Sequence, residues 1–380
     1  MNIVCDQNLV GIDPMLMGLG RVTKYGGRDI SRAVLADADA LLVRSITPVN
    51  EALLAGTPVK FVGTATAGFD HFDHSWLDEA GIHWASAPGC NANSVVEYVL
   101  SAILAVDDFW ERLAAGGQLG IIGFGHVGRL LLTRARALGV SCRVYDPWLP
   151  DSALVNASSF EQVLASDVVC VHASLTREAP WPSFHLLDEA SLEAVPSDSL
   201  LINASRGPVA KDVAMLARLS GADAPAAVLD VWESEPLINP ELLAVARIGT
   251  PHIAGHSYDA KLNGARQIVT AMRNVLKMTM PTQSVGAEAQ PRVEVPPGLE
   301  KIDALRHVLG QTYRIEVDDL ALRDALGAAS REHYPAVFDR LRTDYPVRRE
   351  LAGSRLAGAA GDAATSWLAS AFDCDLEFIE

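Results

Sequence analysis

Short β-branched and aliphatic runs alternate along most of the chain with stretches whose apolar residues recur every third or fourth position. This is the mark of βαβ units wound on parallel sheets. A strand covered on both faces reads as one apolar run, and the helix covering it shows one apolar stripe. In a first series the pattern predicts strands at 2–5, 40–43, 61–62 and around Ile82, with helices at 29–36 and 74–80. A second series predicts strands at 119–122, 142–145, 168–171, 200–203, 227–229 and 247–249. A helix over 94–109 leads from one series into the other, and a long helix over 257–278 is expected to return to the first. The fold class is therefore α/β, with two doubly wound parallel-sheet domains. The first spans 1–95 and 257–280 and is discontinuous, and the second spans 96–256. The Pro- and Gly-containing stretch 281–297 lacks apolar periodicity and predicts a linker. Beyond it, 298–380 combines amphipathic helices (302–309, 320–329) with a strand at 376–379, a small C-terminal α+β domain.

The 380 residues are enough for two or three cores. With 31 Lys and Arg against 47 Asp and Glu the net charge is −16, which argues against a nucleic-acid partner. The N-terminus lacks the basic and long apolar regions of a secretory signal, and no apolar run reaches the ~18 residues of a membrane span. A cytoplasmic protein without a membrane partner is expected. Five scattered cysteines without a CxxC pair predict reduced thiols, with no disulfide framework and no metal site. His71 and His74 share a helical spacing, but two ligands do not make a tetrahedral site.

Gly123, Gly125 and Gly128 stand in G-x-G-x-x-G spacing after a predicted strand and at the start of a helix. The first allows the tight turn, the second admits a pyrophosphate to the backbone, and the third lets helix and strand pack closely. The helix N-terminus then favours the phosphates. The loop Gly123, Gly125, His126, Val127 and Gly128 is the candidate cradle of a dinucleotide in a Rossmann domain. The next strand ends in Asp146, placed to bind a ribose. A carboxylate there, followed by Pro147 and Trp148, repels a 2′-phosphate, so NAD is expected in preference to NADP.

Three segments at predicted strand ends of the same domain supply Arg206, Glu235 and His252. They are Asn203-Ala-Ser-Arg-Gly207, Asp230-Val-Trp-Glu-Ser-Glu-Pro236 and Pro251-His252. One cation, one anion and one titratable base suit hydride transfer from a hydroxy acid. Arg206 would clamp a carboxylate with its planar fork. His252 would take the hydroxyl proton, and Glu235 would orient the imidazole and favour its protonated form.

Through the glycine motif and these three segments the chain resembles the D-isomer-specific 2-hydroxyacid dehydrogenases. Further segments point to a subgroup that acts on a phosphorylated four-carbon acid. They are Leu42-Val-Arg-Ser-Ile-Thr47, Phe61-Val-Gly-Thr-Ala-Thr66 with Asp70-His71, Ala87-Pro-Gly-Cys-Asn-Ala92 and Tyr345-Pro-Val-Arg-Arg-Glu350. The resemblance spans nearly the whole chain. It implies a flavodoxin-like substrate domain beside the Rossmann domain, and a homodimer formed through the C-terminal dimerisation domain. It also implies Ser45 and Thr66 as substrate contacts, Asp146, Ala204 and Asp230 at NAD, and Gly255 near the nicotinamide. His256 stands where the subgroup usually has a tyrosine touching substrate. Ala173 stands where the family usually has a threonine, leaving the backbone, Ser174 or Thr176 for that cofactor contact.

A substrate with a carboxylate at one end and a phosphate at the other needs a second cation besides Arg206. Arg44 is the first choice and the pair Arg348-Arg349 a lesser one. Two other readings stay open on the residues alone: a different acid of the same family, such as 3-phosphoglycerate or glycerate, and a non-catalytic NADH sensor of the same fold.

Overall fold

The computed structural model describes residues 1–278 and 290–379, which fold as two compact units, 1–92 with 256–278 and 93–255 with 290–379. Of the stretch expected as a linker, 281–297, residues 281–289 lie outside the described residues.

In the first unit, β1 (Asn2–Asp6), β2 (Arg21–Tyr25), β3 (Ala40–Val43), β4 (Phe61–Thr64) and β5 (His83–Ala85) form a parallel sheet in the order β2-β1-β3-β4-β5. Strands β3 and β4 are buried throughout, matching their unbroken apolar sequences. The strand β2 went unread in the sequence because it is an edge strand whose Arg21-Val-Thr-Lys-Tyr25 is half-exposed and polar. Only a short 3-10 turn, Arg32–Leu35, forms where a helix over 29–36 was expected. The helix Tyr258–Val275 starts at Ser257, whose hydroxyl caps the Ala260 N–H at 2.9 Å. Its buried stripe, Leu262, Ala265, Ile268, Val269 and Met272, has helical spacing. Each large aliphatic side chain buried there contributes roughly 1.5–3 kcal/mol of transfer free energy.

In the second unit, β6 (Gln118–Ile122), β7 (Ser141–Tyr145), β8 (Val168–Val171), β9 (Leu200–Asn203), β10 (Ala226–Leu229) and β11 (Ile248–Gly249) are parallel, in the order β11-β10-β9-β8-β6-β7. The helix expected over 94–109 is two helices, Ala92–Ala105 and Phe109–Ala114, parted at Asp107, whose φ of 44° no α-helix accommodates.

The C-terminal segment adds a third parallel sheet of β12 (Arg292–Glu294), β13 (Arg355–Ala359) and β14 (Asp375–Ile379), in the order β12-β13-β14. Since β12 pairs within the stretch 281–297, the reading of that whole stretch as a linker is corrected at its C-terminal end. Nor does the segment stand apart as an independent core. Leu305, Val308, Leu356 and Leu368 join one apolar cluster with Val99, Leu131 and Ile202, while Leu322, Leu326 and Phe338 join another with Trp232 and Leu242. Buried Arg134 ties the two parts together, donating to the Ala371 carbonyl at 2.6 Å and to Asp373 at 2.8 Å.

Candidate active site

In both large sheets the strand order reverses beside the first strand of the series, and ligands of open α/β sheets bind at the carboxyl ends of the strands near that reversal. In the second unit the reversal lies between β6 and β8. Gly123 follows β6 there with a φ of 93°, and a Cβ on it would stand 2.6 Å from the Ala173 nitrogen. A Cβ on Gly128 would stand 2.1 Å from the Gly123 carbonyl oxygen, so the third glycine permits the close packing of helix His126–Ala137 on the loop. Around a Cβ on Gly125 nothing lies within 4 Å, and no side chain caps that helix. Its first N–H groups therefore stay available to an anion. His126 is exposed at the first helical position, while Val127 packs against the core.

Asp146, directly after β7, accepts hydrogen bonds from the Phe124 N–H at 2.8 Å and the Trp148 N–H at 3.1 Å. The glycine loop thus fixes this carboxylate. His172, directly after β8, has both ring nitrogens buried without a hydrogen-bond partner among the described residues, and burial lowers its pKa to about 4. Thr176 is committed elsewhere, its hydroxyl accepting from the Glu178 N–H at 3.1 Å. An open glycine loop, an uncapped helix start, a fixed carboxylate and a buried imidazole with orphaned nitrogens suit a bound dinucleotide.

Strand β10 lies between β9 and β11, so the loops bearing Arg206, Glu235 and His252 leave one edge of the sheet side by side. The Asn203 amide shapes the first loop: its oxygen accepts from the Ser205 N–H at 3.2 Å and hydroxyl at 2.8 Å. Ala204 sits half-buried in that turn, and the Arg206 Nη1 donates to the Ser205 carbonyl at 2.8 Å. His252 Nδ1 and Glu235 Oε1 are 2.6 Å apart, each side chain about one quarter exposed. Burial pushes the Glu235 carboxyl up, but the His252 imidazole, and beyond it the Arg342 guanidinium, bring it below the usual carboxylate range.

His252 has a φ of 56°, a left-handed conformation uncommon outside glycine, which its surroundings hold in place. Asp230 does the holding. It is buried, and its carboxylate accepts from the Thr250 hydroxyl at 2.6 Å, the Ile253 N–H at 2.7 Å and the Ala254 N–H at 2.9 Å. Asp230, expected as an NAD contact, also anchors the loop that carries His252. Since Thr250 donates to Asp230, the buried Tyr98 hydroxyl donates to Thr250 at 2.8 Å. Gly255 follows directly, half-buried.

The C-terminal segment completes this support. Arg348 is buried, donates to the Ser94 carbonyl at 2.7 Å and the Ala254 carbonyl at 3.3 Å, and stacks over the Tyr313 ring at 3.8 Å. It therefore cannot serve as the phosphate-binding cation considered from the sequence. Glu97, also buried, accepts from the Leu351 and Ala352 N–H groups at 2.8 and 2.9 Å. Sequence reading missed Tyr98, Arg342 and Arg348 as supports because nothing local links positions so far apart in the chain.

In the first unit, Arg44 leaves the end of β3 with its Nε 2.9 Å from Oδ2 of the buried Asp6. Ser45 beside it is exposed. The Thr66 hydroxyl donates to the Gly68 carbonyl at 2.8 Å and so accepts from Thr64 at 2.7 Å, leaving it no proton to offer a substrate. His256 is half-buried. Among the described residues no cluster of His, Cys, Asp and Glu could hold a metal ion, and no helix is long and apolar enough to cross a membrane.

Residues 105–254 match the NAD-binding domain of the D-isomer specific 2-hydroxyacid dehydrogenases. The erythronate-4-phosphate dehydrogenase of Cellvibrio japonicus is 42% identical over 97% of this chain and 98% of its own. That of Pseudomonas aeruginosa is 40% identical over 94% and 95%. The chain belongs to the erythronate-4-phosphate dehydrogenase family. It is an NAD-dependent D-2-hydroxyacid dehydrogenase, and the loops just described are those of this family's nucleotide domain. The fold recurs in NAD-bound 3-phosphoglycerate dehydrogenase of Entamoeba histolytica (TM-score 0.63, 22% identity, 77% of this chain and 99% of that one). It recurs also in Aquifex aeolicus D-lactate dehydrogenase with NAD and lactic acid (TM-score 0.62, 21% identity, 73% and 96%).

Proposed function

We propose that this enzyme oxidises 4-phospho-D-erythronate at C2 to (R)-3-hydroxy-2-oxo-4-phosphobutanoate, a step toward pyridoxal 5′-phosphate. The names of its full-length relatives support the substrate. The observation that carries the chemistry is the His252–Glu235 pair, held through Nδ1 at the sheet edge that also bears Arg206. With Nδ1–H donated to Glu235, the outer nitrogen Nε2 is the basic one and faces away from the carboxylate. His252 Nε2 takes the proton of the C2 hydroxyl. Glu235, kept ionised by its neighbours, compensates the charge that appears on the ring. The Arg206 fork grips the substrate carboxylate, and Ser45 and His256 contact the rest of the acid. Asp146 would hold the ribose and the Gly123 to Gly128 loop the phosphates of NAD, which when bound would supply the acceptor for the C2 hydride.

The test is nicotinamide absorbance with 4-phosphoerythronate, 3-phosphoglycerate, glycerate and D-lactate. The highest kcat/KM is expected for the first; turnover of another acid without it would overturn the substrate. We also propose a cytoplasmic homodimer formed through the C-terminal region. Supporting this, the edge strand β14 leaves Leu376, Phe378 and Ile379 exposed by 41%, 58% and 40%, with one side of the strand unpaired among the described residues. Light scattering should give twice the chain mass, reduced to one chain by Phe378→Lys; a wild-type monomer would refute the dimer.

A further inference from the structure

In the first unit the strand order reverses between β1 and β3, so the carboxyl ends of those strands are where this sheet would hold a ligand. Asp6 ends β1 and Arg44 follows β3. Their 2.9 Å ion pair fixes the guanidinium at the reversal by its Nε and leaves both terminal nitrogens without a partner among the described residues. Strand β4 runs beside β3 in register, Val43 opposite Thr64, and the Ala65 N–H continues the ladder onto the Val43 carbonyl at 3.0 Å. The helix Tyr258–Val275 crosses at this level. A Cβ on Gly264 would stand 2.4 Å from the Ala65 carbonyl oxygen, so helix backbone and strand end are in close approach.

Lys261 lies three residues before Gly264, on the same face of the helix and one turn nearer its N-terminus. That places it over the ends of β3 and β4. It is half-buried, and among the described residues no carboxylate pairs with it. Burial, and then the Arg44 guanidinium, hold its ammonium below the usual lysine range. Two cations share this edge, and the one carboxylate that pairs with either among the described residues, that of Asp6, is spent on Arg44 and on the Asn8 N–H at 2.8 Å. Uncompensated positive charge kept together at a strand-order reversal is what a dianion would neutralise. The adjacent Ser45 hydroxyl adds a donor without a partner among the described residues. We propose that Lys261 and Arg44, with the Ser45 hydroxyl, form the phosphate subsite of this enzyme, Asp6 serving to aim Arg44. This rests on the substrate being a phosphorylated acid. It replaces the single cation expected from the sequence with a pair, and it gives the donor role to Ser45, since the Thr66 proton is already spent on Gly68.

The test compares wild type with Lys261→Met, Lys261→Arg and Arg44→Met in two measurements. The first is the ratio of kcat/KM for 4-phosphoerythronate to that for erythronate. Lys261→Met should lower it roughly 10- to 100-fold, chiefly through KM, and Lys261→Arg should recover most of the loss. The second is the rise in melting temperature of the NADH-saturated enzyme on adding inorganic phosphate at fixed ionic strength. Wild type should show it, while Lys261→Met and Arg44→Met should lose it. A ratio unchanged in Lys261→Met, or a phosphate response equal to that of wild type, would overturn the subsite. Should wild type leave 4-phosphoerythronate untouched, the proposed substrate fails and the phosphate response decides the subsite by itself. If Lys261→Met does not fold, Lys261→Gln takes its place in both measurements.

Discussion

Two histidine–glutamate pairs grow from the same short loop after β10, and they differ in one atom. Glu235 meets His252 at 2.6 Å and Glu233 meets His185 at 2.5 Å. Both histidines take left-handed backbone conformations, φ 56° and 54°, and their side chains are 27% and 28% exposed. His252 binds its glutamate through Nδ1, so the nitrogen farthest from the backbone is left to act on another molecule. His185 binds through Nε2, which leaves only the nitrogen tucked beside its own main chain. The surroundings diverge in the same sense. Near the first pair stands Arg342, whereas the second interlocks with Asp212, whose N–H donates to Glu233 at 2.9 Å and whose carboxylate accepts from the Glu233 N–H at 3.3 Å. In the proposed reaction one pair holds a base ready, and the other fastens a loop. Counting His–carboxylate pairs would not separate them; the ring nitrogen does.

Substitution should break the likeness in graded steps. His252→Gln is expected to lower kcat by about 10³-fold or more while NADH still binds, measured by fluorescence titration. Retained turnover would remove His252 as the base. Glu235→Gln keeps the shape and loses the charge, and a loss of roughly 10²-fold in kcat is expected, with KM little changed. The matching changes His185→Gln and Glu233→Gln should leave kcat within about threefold and instead lower the melting temperature, as loss of a partly buried, charge-assisted hydrogen bond would. Equal kinetic losses from both pairs would mean that the ring nitrogen is not what distinguishes them.

What the amino-acid sequence disclosed follows the range of the interactions concerned. Strands β3, β8 and β9 are buried on both faces and announce themselves as apolar runs. The glycine loop is a local device, and its turn and close packing are legible from spacing alone. The edge strand β2 and the small-residue strand β13 were not legible. Arg355-Leu-Ala-Gly-Ala359 carries Gly358 because a Cβ there would stand 2.5 Å from the Thr365 hydroxyl of the covering helix, a demand of packing and not of strand propensity. Among the candidate site residues, Arg206, Glu235 and His252 were picked from strand-end motifs, and the structure pairs the last two. Asp230 was read as a cofactor contact, and its position in the motif says nothing of the hydrogen bonds by which its oxygens also hold the loop of His252. Arg348 was read as a lesser candidate for the phosphate because the carbonyls it holds, Ser94 and Ala254, belong to residues about 254 and 94 positions away. Lys261 was passed over because a lysine in an amphipathic helix normally marks the solvated face.

Asp212 gives the smallest of these effects and the one whose sign is least intuitive. Burial first, and then the charges of Glu233 and Glu235, raise its carboxyl pKa to about 6, against the pull of the Glu233 N–H and of His185. In the unfolded chain the same group titrates near 3.9, so from about pH 4 to pH 6 the folded protein holds a proton that the unfolded chain has lost. Stability from this group is therefore greatest below pH 4, declines as the pH rises through 6, and is a net penalty at pH 8. Asp212→Asn removes the charge and keeps an oxygen to accept from the Glu233 N–H. It should stabilise the protein at pH 8 by about 1–2 kcal/mol, a few degrees in melting temperature, and give no gain at pH 4. Differential scanning calorimetry at the two pH values decides it. An equal shift at both would show that the charge of Asp212 is not what strains the fastening pair. A shift confined to pH 8 would show that the charge of Asp212, buried beside Glu233 and Glu235, is what strains the fastening pair.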